Sequence, residues 1–179
     1  MPYTKYQIHD ERYPHFITCS VVDGIPIFSM PECAEIILNS LGFLRDERQI
    51  KIIAYVIMEN HLHAILYGEN LKRQIAAFRS YTARCVVDIL RHNHHKIWLN
   101  RFGGIVKSYR KDRSHQIWRA SYHPLQLYFD EMLIQKINYI HNNPVKRGYV
   151  NEAHHWRYSS AGNYLGHAGL IEIDPAEWL

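Results

Sequence analysis

The chain has 179 residues, a mass of 21.3 kDa, 47% hydrophobic residues and a formal net charge of +4. Such a length predicts a single compact domain spanning residues 1–179, and such a hydrophobic fraction excludes an intrinsically disordered protein. No apolar run reaches membrane-span length, the first residues lack the apolar region of a signal peptide, and the three cysteines show no CxxC spacing. We therefore expect a reduced, cytoplasmic protein with no membrane partner and no zinc knuckle.

The charge is distributed unevenly along the chain. Residues 72–119 hold twelve Lys/Arg and two Asp/Glu, whereas the remainder holds nine and fifteen. A basic middle indicates a polyanionic partner, most simply nucleic acid, because cations contact phosphates and release counterions. A solvated basic helix face explains part of this surplus. The run 107–113 is typical of a phosphate-contacting loop, and its candidate DNA-binding residues are Lys107, Tyr109, Arg110, Lys111 and Arg113.

The chain begins with a predicted strand and a predicted amphipathic helix. Residues 15–22 form a β-rich run that ends at the turn signal Asp23-Gly24. Ser29 can cap a helix, and Pro31 suits its first turn. The apolar positions that follow at helical spacing are Ala34, Ile37, Leu38, Leu41 and Leu44. This helix should lie across a sheet.

Residues 52–67 contain two apolar runs separated by Glu59-Asn60, which predicts two adjacent strands or one long bent strand. Side chains alternate along a strand, so His61 and His63 share a face while Leu62 points the other way. Two imidazoles side by side on an interior strand can begin a metal site. They can equally be core histidines with satisfied hydrogen bonds, and the spacing alone leaves both interpretations open.

The middle of the chain predicts a long helix and a short strand. Asn70 can cap a helix with one apolar side and one basic side; the basic residues are Lys72, Arg73, Arg79, Arg84 and Arg91. A second His-x-His pattern, His92 and His94, indicates a solvated helix end. Residues 97–114 are mixed, with Gly103-Gly104 as a turn, and residues 116–120 predict a short strand.

A third helix, from Glu131 to about Asn142, is predicted after the capping residue Asp130. Tyr139 and Asn143 are four residues apart and share a helix face. If that face meets the two histidines, Asn143 could give a carbonyl oxygen to a metal and Tyr139 could reach whatever the metal holds. Alternatively, Tyr139 is a half-buried core residue and Asn143 ends the helix. The order of elements predicts an α+β fold with one layer of helices on a mostly antiparallel sheet.

Three segments together resemble a known family. Residues 55–63 (YVIMENHLH), 138–148 (NYIHNNPVKRG) and 155–160 (HWRYSS) closely resemble the single-tyrosine transposases of the HUH enzymes, and most closely their REP-associated tyrosine transposase branch. The resemblance covers nearly the whole chain. It implies a ferredoxin-like, RNA-recognition-motif-like antiparallel sheet with flanking helices, and the two histidines on a central strand.

The resemblance also implies roles for individual residues. His61 and His63 match the metal-binding pair, Tyr139 matches the nucleophile, and Asn143 matches the polar third ligand, for which some relatives use Gln. The implied ion is Mg²⁺ or Mn²⁺. Glu59 departs from the Pro that many members carry, but it occupies a turn position. Trp118 matches a recurrent structural tryptophan.

The implied activity is cleavage and rejoining of single-stranded DNA beside a hairpin through a 5′-phosphotyrosine intermediate, in DNA transposition or recombination. Two other classes stay open: a non-catalytic module that binds hairpin DNA or RNA, and a metal-dependent phosphodiesterase that uses water. Relatives act as monomers or as homodimers with shared active sites. The sequence leaves open the DNA sequence recognised, a mobile or domesticated role, association with the nucleoid, and the proton acceptor for the tyrosine, for which Lys136, His141 and Lys146 are nearby.

Overall fold

The computed structural model describes residue 8, residues 10–105 and residues 114–175. Within these ranges, four strands form one antiparallel sheet: β1 His15–Ser20, β2 Lys51–Met58, β3 His61–Tyr67 and β4 Leu125–Gln126. Their order across the sheet is β2-β3-β1-β4, so β3 and β1 are central. β2 and β3 form a hairpin around the two-residue turn Glu59-Asn60, which excludes the alternative of one long bent strand.

Five α-helices accompany the sheet in the described part of the chain: α1 Pro31–Arg48, α2 Leu71–His92, α3 Lys96–Gly104, α4 Asp130–His141 and α5 Asn143–Lys146. With α1 and α2 joining the strands, the order β1-α1-β2-β3-α2-β4 and the strand order are those of a ferredoxin-like sheet. The expected α+β fold, an antiparallel sheet with flanking helices, is confirmed.

The helices cover both faces of the sheet, so the prediction of one helical layer was wrong. Ile17 and Leu62 point to the face that packs against α1 and α2, whereas Phe16 and Ile65 point to the face that packs against α4. The reason lies in β2, whose residues are buried almost without interruption. A strand buried on both faces has a continuous apolar run instead of an alternating pattern, so residues 52–58 already carried the signal that both faces are covered.

Two helix starts differ from the prediction by one residue each. Ser29 lies in a 3-10 turn and Met30 is the N-cap of α1, with Pro31 as the first helical residue. Asp130 is itself the first residue of α4, which follows Phe129. In both cases the residue before the helix has an extended backbone, and no side chain caps the helix. The polar residue therefore indicates where the helix begins only to within one residue.

The region between α2 and α4 also differs from the prediction. Residues 96–104, expected to be mixed, form α3 with the two glycines at its end. The strand expected at residues 116–120 is reduced to one bridge between Trp118 and Val21, and the edge strand is β4 instead. Trp118 turns to α2, where its Nε1 donates to Thr82 Oγ1 at 3.0 Å. Its expected structural role is therefore visible in the buried core.

The segment after α5 covers the outer edge of β2. The Ile57 amide donates to the Tyr158 carbonyl at 2.8 Å, and the Ser160 amide donates to the Tyr55 carbonyl at 3.0 Å. The indole of Trp156 adds a bond to the Ile57 carbonyl at 3.0 Å. These bonds satisfy backbone groups that an exposed edge strand would leave unpaired.

Cys19 and Cys33 are buried core residues, and all three cysteines, including Cys85, are free thiols. Burial raises the pKa of the Cys19 and Cys33 thiols to about 12, so both stay protonated and unreactive. Among the described residues, no helix has the length and apolar character needed to cross a lipid bilayer.

Candidate active site

His61 and His63 lie side by side on β3, on the face that α4 covers. Their ring centroids are 4.7 Å apart, and the two residues are only 9% and 5% exposed. Burial lowers the pKa of both, and for His63 the neighbouring His61 and the Lys136 ammonium lower it further, to about 3. Both imidazoles are therefore neutral near pH 7, which is the state that binds a metal ion.

The Nδ1 atom of each histidine is held by a neighbouring side chain. His61 Nδ1 lies 2.7 Å from Asn60 Oδ1, and His63 Nδ1 lies 2.9 Å from Thr18 Oγ1. The Asn60 amide nitrogen donates to the Gly24 carbonyl at 3.2 Å, so its oxygen faces His61 and accepts the Nδ1 proton. This leaves the lone pair of His61 on Nε2. A Thr18 hydroxyl that accepts from His63 Nδ1 does the same for the second ring.

Tyr139 on α4 reaches the histidine pair. Its ring centroid is 5.3 Å from that of His63 and 5.9 Å from that of Phe16, both in edge-on arrangements. The residue is 37% exposed, so the phenol is at the open edge of a buried site rather than in the core. The structure thus brings together His61, His63 and Tyr139, which are distant in sequence.

Two lysines lie over the ring of Tyr139. The Lys136 and Lys146 ammonium nitrogens are 5.4 and 5.6 Å from its ring centroid, and Lys136 also lies 5.0 Å from the Phe16 ring. Both ammonium groups therefore make cation–π contacts at the site. His141 is different, because its Nε2 bonds Ser160 Oγ at 2.9 Å and burial lowers its pKa to about 4. Its imidazole is thus engaged in the core.

Asn143 begins α5 and is 8% exposed. Only Asn142 separates α4 from α5, and helical bonding continues through it, because its amide bonds the Asn138 carbonyl and its carbonyl accepts from Lys146. Asn143 therefore stands about one turn after Tyr139, as the spacing predicts. In the described part of the chain, no hydrogen bond is made by its side-chain amide.

An ion pair joins the histidine hairpin to the end of α5. Arg147 Nη1 lies 3.2 Å from Glu59 Oε1, at the turn between β2 and β3. Glu59 thus occupies the expected turn position, and its carboxylate connects the strand that carries the histidines to the helix that carries Asn143. The ion pair therefore lies at one side of the site.

Comparison with known proteins finds similarity in structure but not in sequence. No family model matches the sequence, and no curated protein resembles it in sequence. The structure of a REP-associated tyrosine transposase bound to a REP hairpin superposes with a TM-score of 0.60 at 16% identity, covering 100% of this chain and 91% of that one. The two chains therefore share a fold. A "putative transposase" from Deinococcus radiodurans aligns at a TM-score of 0.47 and 14% identity, over 79% of this chain and 97% of that one.

Three residues that contact the histidine pair were not predicted from the sequence. Asn60, which holds His61, directly precedes it, so the Asn-His dipeptide was an available signal. Thr18 and Phe16 lie on β1. They reach the site because Thr18 pairs with His63 across the strands, and no local pattern encodes that register.

The candidate DNA-binding residues Lys107, Tyr109, Arg110, Lys111 and Arg113 lie outside the described residues. The basic side of α2 is described, and it faces away from Tyr139 on the opposite side of the sheet. There a cleft of about 660 Å³ separates α2 from residues 114–120; its arginines are Arg79, Arg84, Arg91 and Arg119. Arg79 is already engaged, because it donates to the Arg119 and Ala120 carbonyls and covers the Tyr122 ring.

Proposed function

We propose that this protein cleaves and rejoins single-stranded DNA beside a hairpin, with Tyr139 as the nucleophile. The observation that carries the proposal is the position of the Tyr139 ring, 5.3 Å from His63 at the open edge of two buried, neutral imidazoles. A core tyrosine would be enclosed by apolar residues. This one is exposed, faces a pair of possible metal ligands and has two ammonium groups over its ring.

His61, His63 and Asn143 would hold a divalent ion, Mg²⁺ or Mn²⁺. The residues fit such an ion because hydrogen bonds at Nδ1 orient both rings and leave Nε2 available, and because the Asn143 amide makes no other bond among the described residues. Three protein ligands leave positions for phosphate oxygens, as in other catalytic metal sites. Such an ion supplies Lewis acidity to the scissile phosphate and to the departing oxygen.

The reaction of Tyr139 is a transesterification that conserves the phosphoester. Its Oη loses its proton and attacks phosphorus, the bond from phosphorus to the 3′ oxygen breaks, and that oxygen takes up a proton, so the DNA keeps a free 3′ hydroxyl and a 5′-phosphotyrosine. Attack by another 3′ hydroxyl reverses the step and rejoins strands without ATP. Lys136 and Lys146 place two positive charges beside the nucleophile, where the charged phosphate would bind. His141 does not take the phenol proton, because Ser160 holds its Nε2.

The hairpin substrate is proposed from the ligand of the similar transposase structure and from the basic middle of this chain.

A row of aromatic rings close to α4 supports binding of unpaired bases. Tyr13 and Tyr128 have ring centroids 5.3 Å apart, Phe129 lies 6.4 Å beyond, and Phe129 is 67% exposed. Bases of any sequence can stack on such rings.

The decisive experiment incubates the protein with a labelled hairpin oligonucleotide and Mn²⁺, then separates the products on a denaturing protein gel. The wild-type chain should carry label covalently, and Tyr139→Phe should carry none while binding the hairpin with nearly unchanged affinity. Tyr149→Phe, another exposed tyrosine, is the matched control and should label normally. An adduct that persists in Tyr139→Phe assigns the nucleophile elsewhere.

The same gel separates the other two classes. Cleavage with turnover but no adduct indicates a phosphodiesterase that uses water. Hairpin binding without any cleavage indicates a non-catalytic binding module.

A further inference from the structure

A second group of histidines lies away from the candidate active site, around the 3-10 turn Ala153–His155. Glu152, His154 and His155 offer ligand atoms that all lie within 4.8 Å of one another. The contact between Glu152 Oε2 and His154 Nδ1 measures 3.4 Å. Glu152 and His155 are exposed and His154 is half-buried, so the group is accessible from solvent.

A third histidine approaches the same point from a later loop. The His167 ring centroid lies 5.9 Å from that of His154, and the rings of His154 and His155 are 4.2 Å apart. Two imidazoles that share one tetrahedral zinc ion have centroids roughly 5 Å apart, given zinc–nitrogen bonds of about 2.1 Å. The observed separations lie on either side of that value, so the His167 ring would have to move closer to His154 to share an ion with it.

We propose that Glu152, His154, His155 and His167 form a zinc site distinct from the His61/His63 pair. Three imidazoles and one carboxylate are a donor set that suits Zn²⁺, whereas Mg²⁺ and Ca²⁺ prefer oxygen ligands. The group is accessible from solvent, so an ion can reach it without unfolding of the core. This proposal stands independently of the proposed nuclease activity.

The position of the site indicates a stabilising role. The 3-10 turn precedes, and His167 follows, the segment 156–161 that covers the edge of β2. That segment is held by backbone bonds at Tyr158 and Ser160 and by the indole of Trp156. An ion that joins both ends of the segment would hold it against β2, the neighbour of the strand that carries His61 and His63. Ion binding to the folded state alone stabilises it by mass action.

The test uses the full-length chain with His61→Ala and His63→Ala, which removes the other imidazole pair, after treatment with EDTA. Titration calorimetry with zinc chloride should show a single Zn²⁺ bound per chain. Adding His154→Gln or His167→Gln should weaken binding by at least about tenfold, because each removes one of four ligands. His94→Gln changes an exposed histidine just past the end of α2 and should leave the affinity unchanged.

A second measurement follows the proposed role directly. Zinc should slow amide hydrogen exchange at Ser160 in the His61→Ala/His63→Ala chain, and this effect should vanish with His154→Gln. Circular dichroism in the absence of zinc establishes that each variant is folded. Absence of zinc binding, equal weakening by His94→Gln, or affinity unaffected by both His154→Gln and His167→Gln would overturn the proposal. Zinc binding without slower exchange at Ser160 would overturn the stabilising role.

Discussion

The two histidine groups of this protein differ in burial, and that difference separates their chemistry. His61 and His63 lie on a central strand, where burial keeps them neutral and hydrogen bonds to Asn60 and Thr18 fix their rings. His154 and His155 lie on a surface turn, with one carboxylate beside them. A buried and oriented pair suits catalysis, because its geometry exists before the substrate arrives. A surface group suits an ion that holds two loops together.

The largest expected effect comes from removing a buried ring. His63→Ala should lower the rate of Mn²⁺-dependent hairpin cleavage by about 10³-fold or more, because the phosphate loses the charge stabilisation that the ion supplies. His154→Ala, the matched change in the surface group, should leave that rate within about twofold of the wild-type rate. The measurement is the initial rate of oligonucleotide cleavage at saturating Mn²⁺. Cleavage that survives His63→Ala, or that survives in EDTA, would contradict the metal assignment.

A smaller effect comes from the residue that orients the ring. Thr18→Val keeps the size of the side chain but removes the partner of His63 Nδ1, and such changes cost about 10–100-fold in metal affinity or activity. Thr18→Ser retains the hydroxyl and should behave like the wild type. The apparent Mn²⁺ affinity, taken from cleavage rates at varied Mn²⁺, checks this. Equal affinity in Thr18→Val and Thr18→Ser would show that the bond does not orient the ring.

Burial of the histidines also predicts how stability depends on pH. The pKa values of His63 and His141 are lowered to about 3 and about 4, so below pH 6.5 the unfolded chain binds protons that the folded chain does not. The free energy of unfolding of the metal-free protein should therefore fall by about 2 kcal/mol for each of them between about pH 7 and pH 5.

Urea denaturation at the two pH values measures this fall. In His63→Gln the free energy of unfolding should fall by about 2 kcal/mol less than in the wild type, because one of the two buried histidines is gone. The surface change His94→Gln should leave the fall unchanged. A fall of the same size in His63→Gln and the wild type would show that His63 is not buried in its neutral form.

The smallest effect concerns the ammonium groups over Tyr139. Lys136→Met should slow adduct formation by about tenfold, because the site loses one of the two cations beside the ring of the proposed nucleophile, where the scissile phosphate would bind. Lys96→Met, on α3, is the control and should leave the rate unchanged. The measurement is single-turnover adduct formation at saturating hairpin, with the hairpin affinity measured separately. A rate that stays unchanged at saturating hairpin while the affinity falls would assign Lys136 to DNA binding alone.

The sequence predicted most of the sheet and its three longest helices, but not how those helices pack around it. Alternating or apolar runs located three of the four strands, since periodicity is local and survives any tertiary context. β4 has only two residues, which is too short to show an alternating pattern. The predicted strand at residues 116–120 was inferred from apolar residues, but Trp118 is apolar because it packs against α2 and not because it lies in the sheet. The placement of α4 on the second face is a long-range choice that local patterns do not contain.

By itself, the sequence determined that His61 and His63 share a face and that Tyr139 and Asn143 lie one helical turn apart, because both follow from the geometry of a strand and a helix. Only the tertiary structure decided that Tyr139 comes to the ring of His63. It also decided that Thr18 holds one ring, that Lys136 and Lys146 lie over the phenol, and that His141 turns to Ser160 instead. Those contacts depend on strand register and on the face that α4 covers, which are set by burial of the whole chain.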